Sequence, residues 1–361
     1  RKDYIANIYA AQPETGAIDW HLYLVYNVVK INAARPCDSC ADGYIKGEKN
    51  YMFSGHICDV PGIMVGNASD LDALTGVTAI YCPDGAVPGV CVRGGAPGTR
   101  ETDLMKAGEL VECVNAILLT GGSAYGLDAS TGAMDLLRRR GEGLDVGVSR
   151  VPIVGGAVLF DLGVGSAEIR PDAQMGKLAL MNAGKDVRQG LIGAGMGASV
   201  GKFVPGAIPE RSGLGSASIE LGGGVIVGAI AAVNAGGDIY DPYNGEFLAG
   251  GHDSDGAPKP VLHALLGGAG ARGFAGSNTT IAVVATNAKL DKAQTNRMAA
   301  VAQDGFARAI RPVHTQMDGD TLFALSTGDK ECDFMRLSVL ATEAVARAIA
   351  NAGYLARERR A

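Results

Sequence analysis

Gly276-Ser277-Asn278-Thr279-Thr280-Ile281, continued by Ala282-Val283-Val284-Ala285-Thr286, is a Gly-led turn that runs straight into an apolar, β-branched stretch. β-branched and small apolar residues in an uninterrupted run read as a buried strand, so Thr279 stands where a turn becomes a strand. A hydroxyl residue there suits a proenzyme that cuts itself before Thr279. The cut would place a free α-amine beside the hydroxyl, and that amine can act as the base that a Ser nucleophile borrows from His. Small Gly276 and Ser277 permit the tight approach of the Thr279 hydroxyl to the Asn278 carbonyl. Thr280 is a competing nucleophile, and a plain strand-opening Thr is the structural alternative.

The C-terminal part around this stretch is regular. A helix is expected from Asp291, an N-cap residue, to Ile310. Leu322-Phe323-Ala324-Leu325-Ser326 reads as a strand, and a last helix runs from about Asp333 to Tyr354 with Leu337, Leu340, Ala341, Ala344, Val345 and Ile349 on one face. Upstream, Val77–Cys82 and Ala116–Thr120 read as strands, 126–140 as a helix ending in three arginines, and 224–233 as a buried strand. Val87–Val92 is a poorer strand because of Pro88 and Gly89. Asp238 to Gly276, rich in Asp-Pro, Asn-Gly and Gly-Gly turns, reads as a mobile connector to the proposed cut. Residues 1–51 hold the only Trp (Trp20) and lack the Gly-rich turns that follow; they read as an appendage before a compact domain opening at Met52.

Composition narrows the function. The chain has 361 residues, 47% hydrophobic and 19% charged, enough for a large core. Its 53 Gly show no Gly-X-Y period and accompany only 14 Pro, which excludes a collagen-like chain. A net charge of −6 without a basic stripe gives nucleic acid nothing to hold. No apolar run is long enough for a bilayer, and no signal peptide is visible. Seven scattered Cys, an odd number, point to reduced thiols and a cytoplasmic location. Cys37-Asp38-Ser39-Cys40 is a lone CxxC, and five dispersed His form no ligand-spaced cluster, so no metal and no cofactor are expected.

Three further segments carry chemistry-bearing residues. In His314-Thr315-Gln316-Met317-Asp318-Gly319-Asp320-Thr321-Leu322-Phe323, Asp318 and Asp320 either form a simple turn or orient the Thr279 hydroxyl and the new ammonium. Gly193 to Lys202 is not a phosphate loop, since Phe203 stands where Ser or Thr is needed. Lys202 either is solvated or places a positive charge near the nucleophile. Asn234, at the end of the 224–233 strand, either forms a turn or donates to an oxyanion.

With Leu118-Leu119-Thr120-Gly121-Gly122-Ser123-Ala124-Tyr125-Gly126-Leu127-Asp128, these segments occur in the order found in the self-processing L-aminopeptidase/D-amidase-esterase family, which includes β-peptidyl aminopeptidases and nylon-oligomer hydrolases. The chain resembles that family over about residues 55–350, most closely the nylon-oligomer hydrolases with their Asn-Thr-Thr and Asp-Gly-Asp. The resemblance implies an α+β fold, a four-layer αββα sandwich like that of N-terminal nucleophile hydrolases with different connectivity. It implies a cut between Asn278 and Thr279 into an α part and an 83-residue β part that stay associated and form a homo-oligomer. Thr279 would be the nucleophile, Asp318 and Asp320 its neighbours, Lys202 a residue of the autocleavage site and Asn234 an oxyanion donor. The activity implied is hydrolysis of small peptides or linear amide oligomers through an acyl-enzyme. Phe160 departs from the pattern, because some members have a Tyr there. Ornithine acetyltransferases share the architecture and also self-cleave before Thr, so an acyltransferase is the rival activity; a non-catalytic ligand-binding relative is the other.

Overall fold

The computed structural model describes residues 52–270, 273 and 276–360. Residues 1–51, with Trp20 and the Cys37/Cys40 pair, lie outside them. The principal strands are β1 (Met64–Asp70), β2 (Thr75–Val92), β3 (Thr99–Arg100), β4 (Val114–Thr120), β5 (Val154–Val158), β6 (Gly213–Gly222), β7 (Val225–Asn234), β8 (Thr279–Ala288) and β9 (Thr321–Lys330). The principal helices are α1 (Ala129–Arg139), α2 (Ala173–Met181), α3 (Lys292–Ala302), α4 (Asp304–Ala309) and α5 (Phe334–Arg360). The hydrogen-bonded path runs β6-β7-β8-β9-β2-β4-β5-β3, with β1 beside β2.

β2 belongs to both halves of that path. Its first half pairs with β1 and β4, its second half with β9, and its register shifts between Tyr81 and Ala86. The two halves then face each other. Side chains alternate along a strand, so each strand feeds two layers. Ile117, Leu119, Ile230, Ala232, Ile281, Val283, Phe323 and Leu325 meet between the sheets. Ala116 and Leu118 point the other way, onto Ala129, Ala133, Leu137 and Leu180 of α1 and α2. Ala229, Ala231, Ala282, Val284, Leu322 and Ala324 pack on Met298, Phe306, Leu337 and Val345 of α3–α5. Three apolar layers separate four structural ones, helix–sheet–sheet–helix. A strand covered on both faces must be apolar throughout, which is why all ten residues of β8 are buried.

β8 and β9 are parallel and joined through α3 and α4; β4 and β5 are parallel and joined through α1. Asp291 caps α3 as expected: its carboxylate accepts from Gln294 N, and Gln294 Oε1 accepts from Asp291 N. The expected single helix 291–310 is two, α3 and α4, parted at Gln303, which is buried and donates to the Cys91 carbonyl. Val87–Val92 is a strand despite its Pro and Gly. It is the last strand of its sheet, so Pro88 needs no second partner strand. Gly89 lies under α3, where a Cβ would come 2.4 Å from the Thr295 backbone. The segment 238–276 is not all connector. Asp238–Tyr240 and Phe247–Ala249 pair as strands, with Ile239 and Leu248 in the core, and a short helix covers Val261–Leu266. No helix among the described residues is long and apolar enough to cross a membrane.

Candidate active site

Because β8 and β9 run parallel, Thr279–Thr280 and Asp318–Asp320 come to one end of the sheet. β7 is antiparallel to β8, so its C-terminal residue arrives at the same end, with Asn234 opposite Thr279. A single bridge joins Asn278 to Asp318. Asn234, Asn278, Thr279, Thr280, Asp318 and Asp320 are all buried. Lys202 is brought in by its own backbone: the Gly201 and Lys202 N–H groups donate to the carbonyls of Gly237 and Gly236, just beyond Asn234. Gly201 has φ +75° and lies so close to Gly251 that a Cβ would sit 1.7 Å from its nitrogen, so only glycine fits.

The Thr279 hydroxyl lies 2.5 Å from the Asn278 carbonyl oxygen and donates to it. The same oxygen accepts the Gly319 backbone N–H at 2.9 Å. The peptide carbonyl before Thr279 is therefore polarised by two donors while the hydroxyl rests against it. Gly319 has to be small: a Cβ there would lie 2.7 Å from Thr279 Oγ1 and 2.8 Å from the Ala96 carbonyl.

The two carboxylates have different tasks. Asp320 Oδ1 accepts the Thr280 N–H at 2.6 Å, and its Oδ2 accepts from His314 Nδ1 at 2.8 Å and from the His314 N–H at 3.1 Å. Asp318 Oδ2 accepts from the Thr315 amide (2.7 Å) and hydroxyl (2.6 Å). Burial pushes the Asp318 carboxyl above its usual range, and the Asp320 charge adds to that; the Thr315 and Gly236 donors pull it back.

Lys202 Nζ donates to the Asn234 backbone carbonyl (2.8 Å), the Asn234 Oδ1 (2.9 Å) and the Ser277 carbonyl (3.1 Å). All three acceptors are uncharged, so desolvation dominates and brings the ammonium down to about 7, against the upward pull of Asp318, Asp161 and Asp320. Asn234 Nδ2 donates to the Phe160 carbonyl at 2.9 Å, and its Oδ1 also takes the Ser199 N–H. What position 160 gives the site here is thus a backbone acceptor. Next to it, buried Asp161 accepts from the Thr75 hydroxyl and the Gly122 N–H, both at 2.7 Å.

Lys202, Asn234, Asn278, Thr279, Asp318 and Asp320 thus meet in one place. Several neighbours were not assigned a task from the sequence: the Gly319 N–H, the Phe160 carbonyl, Asp161, His314 and Thr315. Backbone donors and acceptors leave no mark in residue type. His314 and Thr315 do, since they open the segment that ends in Asp318-Gly319-Asp320.

The profile of peptidase family S58 matches residues 55–360. An uncharacterized aminopeptidase of Mycobacterium tuberculosis is 45% identical over 288 residues, which span 75% of this chain and 81% of the relative. A 6-aminohexanoate-oligomer endohydrolase of Kocuria sp. is 35% identical over 282 residues, 75% of this chain and 74% of that protein. Among solved structures, the L-aminopeptidase D-Ala-esterase/amidase of Ochrobactrum anthropi, a variant of the Ntn hydrolase fold, superposes with a TM-score of 0.63 at 20% identity, covering 83% of this chain and 86% of its own. A Burkholderia sp. β-aminopeptidase gives 0.61 at 23% identity, covering 86% and 89%. The αββα layering is that of this variant of the Ntn hydrolase fold.

Proposed function

The chain belongs to peptidase family S58 and is a hydrolase of peptide or amide bonds, and from that premise we propose that it cuts itself between Asn278 and Thr279 and then works through the freed Thr279. The observation that carries this reading is the double contact on the Asn278 carbonyl oxygen, from the Thr279 hydroxyl and the Gly319 N–H. Attack of Thr279 Oγ1 on the Asn278 carbonyl carbon gives a tetrahedral oxyanion, which the Gly319 N–H stabilises. The C–N bond then breaks, the hydroxyl proton passes to the departing Thr279 nitrogen, and an ester links Asn278 to the Thr279 side chain. Water hydrolyses that ester, leaving an Asn278 carboxylate and a Thr279 amine.

In turnover the same hydroxyl attacks a substrate carbonyl, with the Thr279 amine as the proton acceptor. The leaving amine takes the proton, and water resolves the acyl-enzyme. In the first cut, when Thr279 has no free amine, Lys202 is the proposed relay of the proton from the hydroxyl to the departing nitrogen. Its Nζ donates to the Asn234 and Ser277 carbonyls beside the cut, and burial brings its ammonium down to about 7. Asp320 fixes the Thr280 amide, and Asp318 offsets the Lys202 charge. The relatives' names, an aminopeptidase and a 6-aminohexanoate-oligomer endohydrolase, support small peptides or linear amide oligomers as the proposed substrates.

The test is the intact mass of the purified protein with N-terminal sequencing of the small fragment. A fragment beginning Thr279-Thr280-Ile281 is expected. Thr279→Ala should remain one chain and hydrolyse nothing. Splitting of that variant at the same bond would falsify the assignment and return the choice to Thr280.

A further inference from the structure

Asp320 is buried, and no lysine or arginine is hydrogen-bonded to it among the described residues. Its hydrogen-bond partners are the Thr280 amide on Oδ1 and, on Oδ2, the backbone and ring nitrogens of His314. The parallel pairing of β8 with β9 starts only at Ile281 and Thr321. On the β9 side, then, the Thr280 N–H is held by the Asp320 carboxylate, between the Asn278–Asp318 bridge and the ladder that begins at Ile281 and Thr321, one residue from the Thr279 hydroxyl. The Thr280 hydroxyl adds nothing to this, being enclosed without a hydrogen-bond partner.

His314 is built to hold that carboxylate. Its backbone has φ +58°, in the left-handed region that Asn, Asp and His tolerate better than other side chains. That conformation directs both the N–H and Nδ1 of one residue at one oxygen. The ring stacks on Phe306, with centroids 5.7 Å apart and planes 29° apart, and Nε2 is enclosed without a partner. The proton that Asp320 needs therefore sits on Nδ1. With Oδ2 held by two donors, the carboxylate cannot turn about its Cβ–Cγ bond, and Oδ1 stays on the Thr280 amide.

We propose that His314 is a positioning residue, which acts through Asp320 and the Thr280 amide to aim the Thr279 hydroxyl in both self-cleavage and turnover. This rests on Thr279 being the nucleophile. The side-chain requirement is narrow. His314→Asn places a nitrogen donor at the δ position and tolerates the positive φ. His314→Gln carries its donor one bond too far. His314→Gly accepts the backbone and removes the donor.

The experiment compares the three variants with the wild type as full-length protein. It reads the rate of self-cleavage on denaturing gels, kcat and KM on a linear 6-aminohexanoate oligomer and on an aminoacyl anilide, and the thermal midpoint. His314→Asn should stay within about 3-fold of wild type. His314→Gln and His314→Gly should lose about 10- to 100-fold in cleavage rate and in kcat, the usual scale for a misaimed reacting group, with KM unchanged. The proposal is overturned if Gln or Gly matches wild type, if Asn falls as far as Gln, or if the losses merely follow the thermal midpoints. Thr279→Ala, run alongside, separates the two readings. An inert Thr279→Ala with a flat His314 series sinks this inference alone, whereas a Thr279→Ala that still cuts removes the nucleophile on which both stand.

Discussion

At the scale of residues, Lys202 and Asp318 are both driven towards neutrality, one down and one up, by the same burial. For Lys202 the sign of the consequence is fixed. Below about 7 the group is an ammonium and can accept nothing; above it, a free amine. Self-cleavage of freshly refolded proenzyme should therefore speed up as pH rises through about 7, and Lys202→Met should remove that rise along with most of the rate. A time course across about pH 6 to 8 reads this directly, and a flat wild-type profile would take Lys202 out of the proton path. Gly319→Ala is the steric counterpart. Its Cβ would press on Thr279 Oγ1, so processing should fall about 100-fold while the fold survives. Gly319 also shows where reading a sequence ends. Thr279, Asp318, Asp320, Lys202 and Asn234 carry their chemistry in the side chain, and the family resemblance is what singles them out. The donor on the Asn278 carbonyl is a backbone N–H, and nothing in the letters Asp-Gly-Asp says where that amide points.

At the scale of elements, strands were legible where a continuous apolar run is buried on both faces, as in 281–286 and 224–233, but not where glycines interrupt the run, as in the fully buried β5. Which face each residue takes was not legible in such runs, since alternation disappears when both sides are apolar. Pro88 and Gly89 misled for a related reason: their cost depends on whether a partner strand or a helix lies alongside, a tertiary fact. Lys292 is a sharper case. The first residue of α3, it is buried, and its Nζ donates to the carbonyls of Leu104 (2.9 Å), Glu109 (2.8 Å) and Val111 (2.8 Å). One ammonium thus organises the loop that links β3 to β4. Lys292→Met keeps the volume and strips three carbonyls of their donor. The expected loss is on the order of 2–4 kcal/mol, read from a urea unfolding curve. A loss under about 0.5 kcal/mol would mean that water replaces the ammonium without strain.

At the scale of the whole molecule, the proposed cut falls at the first residue of an interior strand. The part beginning at Thr279 supplies β8 and β9, and these lie side by side between β7 and β2 of the other part. Eight residue pairs join β7 to β8 and six join β9 to β2. The same two strands contribute to both the inter-sheet core and the core under α3–α5. Separating the parts therefore means opening two strand ladders and two apolar layers at once, which is global unfolding rather than release of a peptide. The proposed cut asks one covalent bond, and no packing, to change. The two fragments should accordingly elute together from a size-exclusion column in native buffer, as one particle or a multiple of it, and part only in concentrated denaturant. They should also unfold in a single transition, at a midpoint close to that of uncut Thr279→Ala. Loss of the small fragment under native conditions would mean that the sheet does not hold across β7–β8 and β9–β2 once the chain is cut.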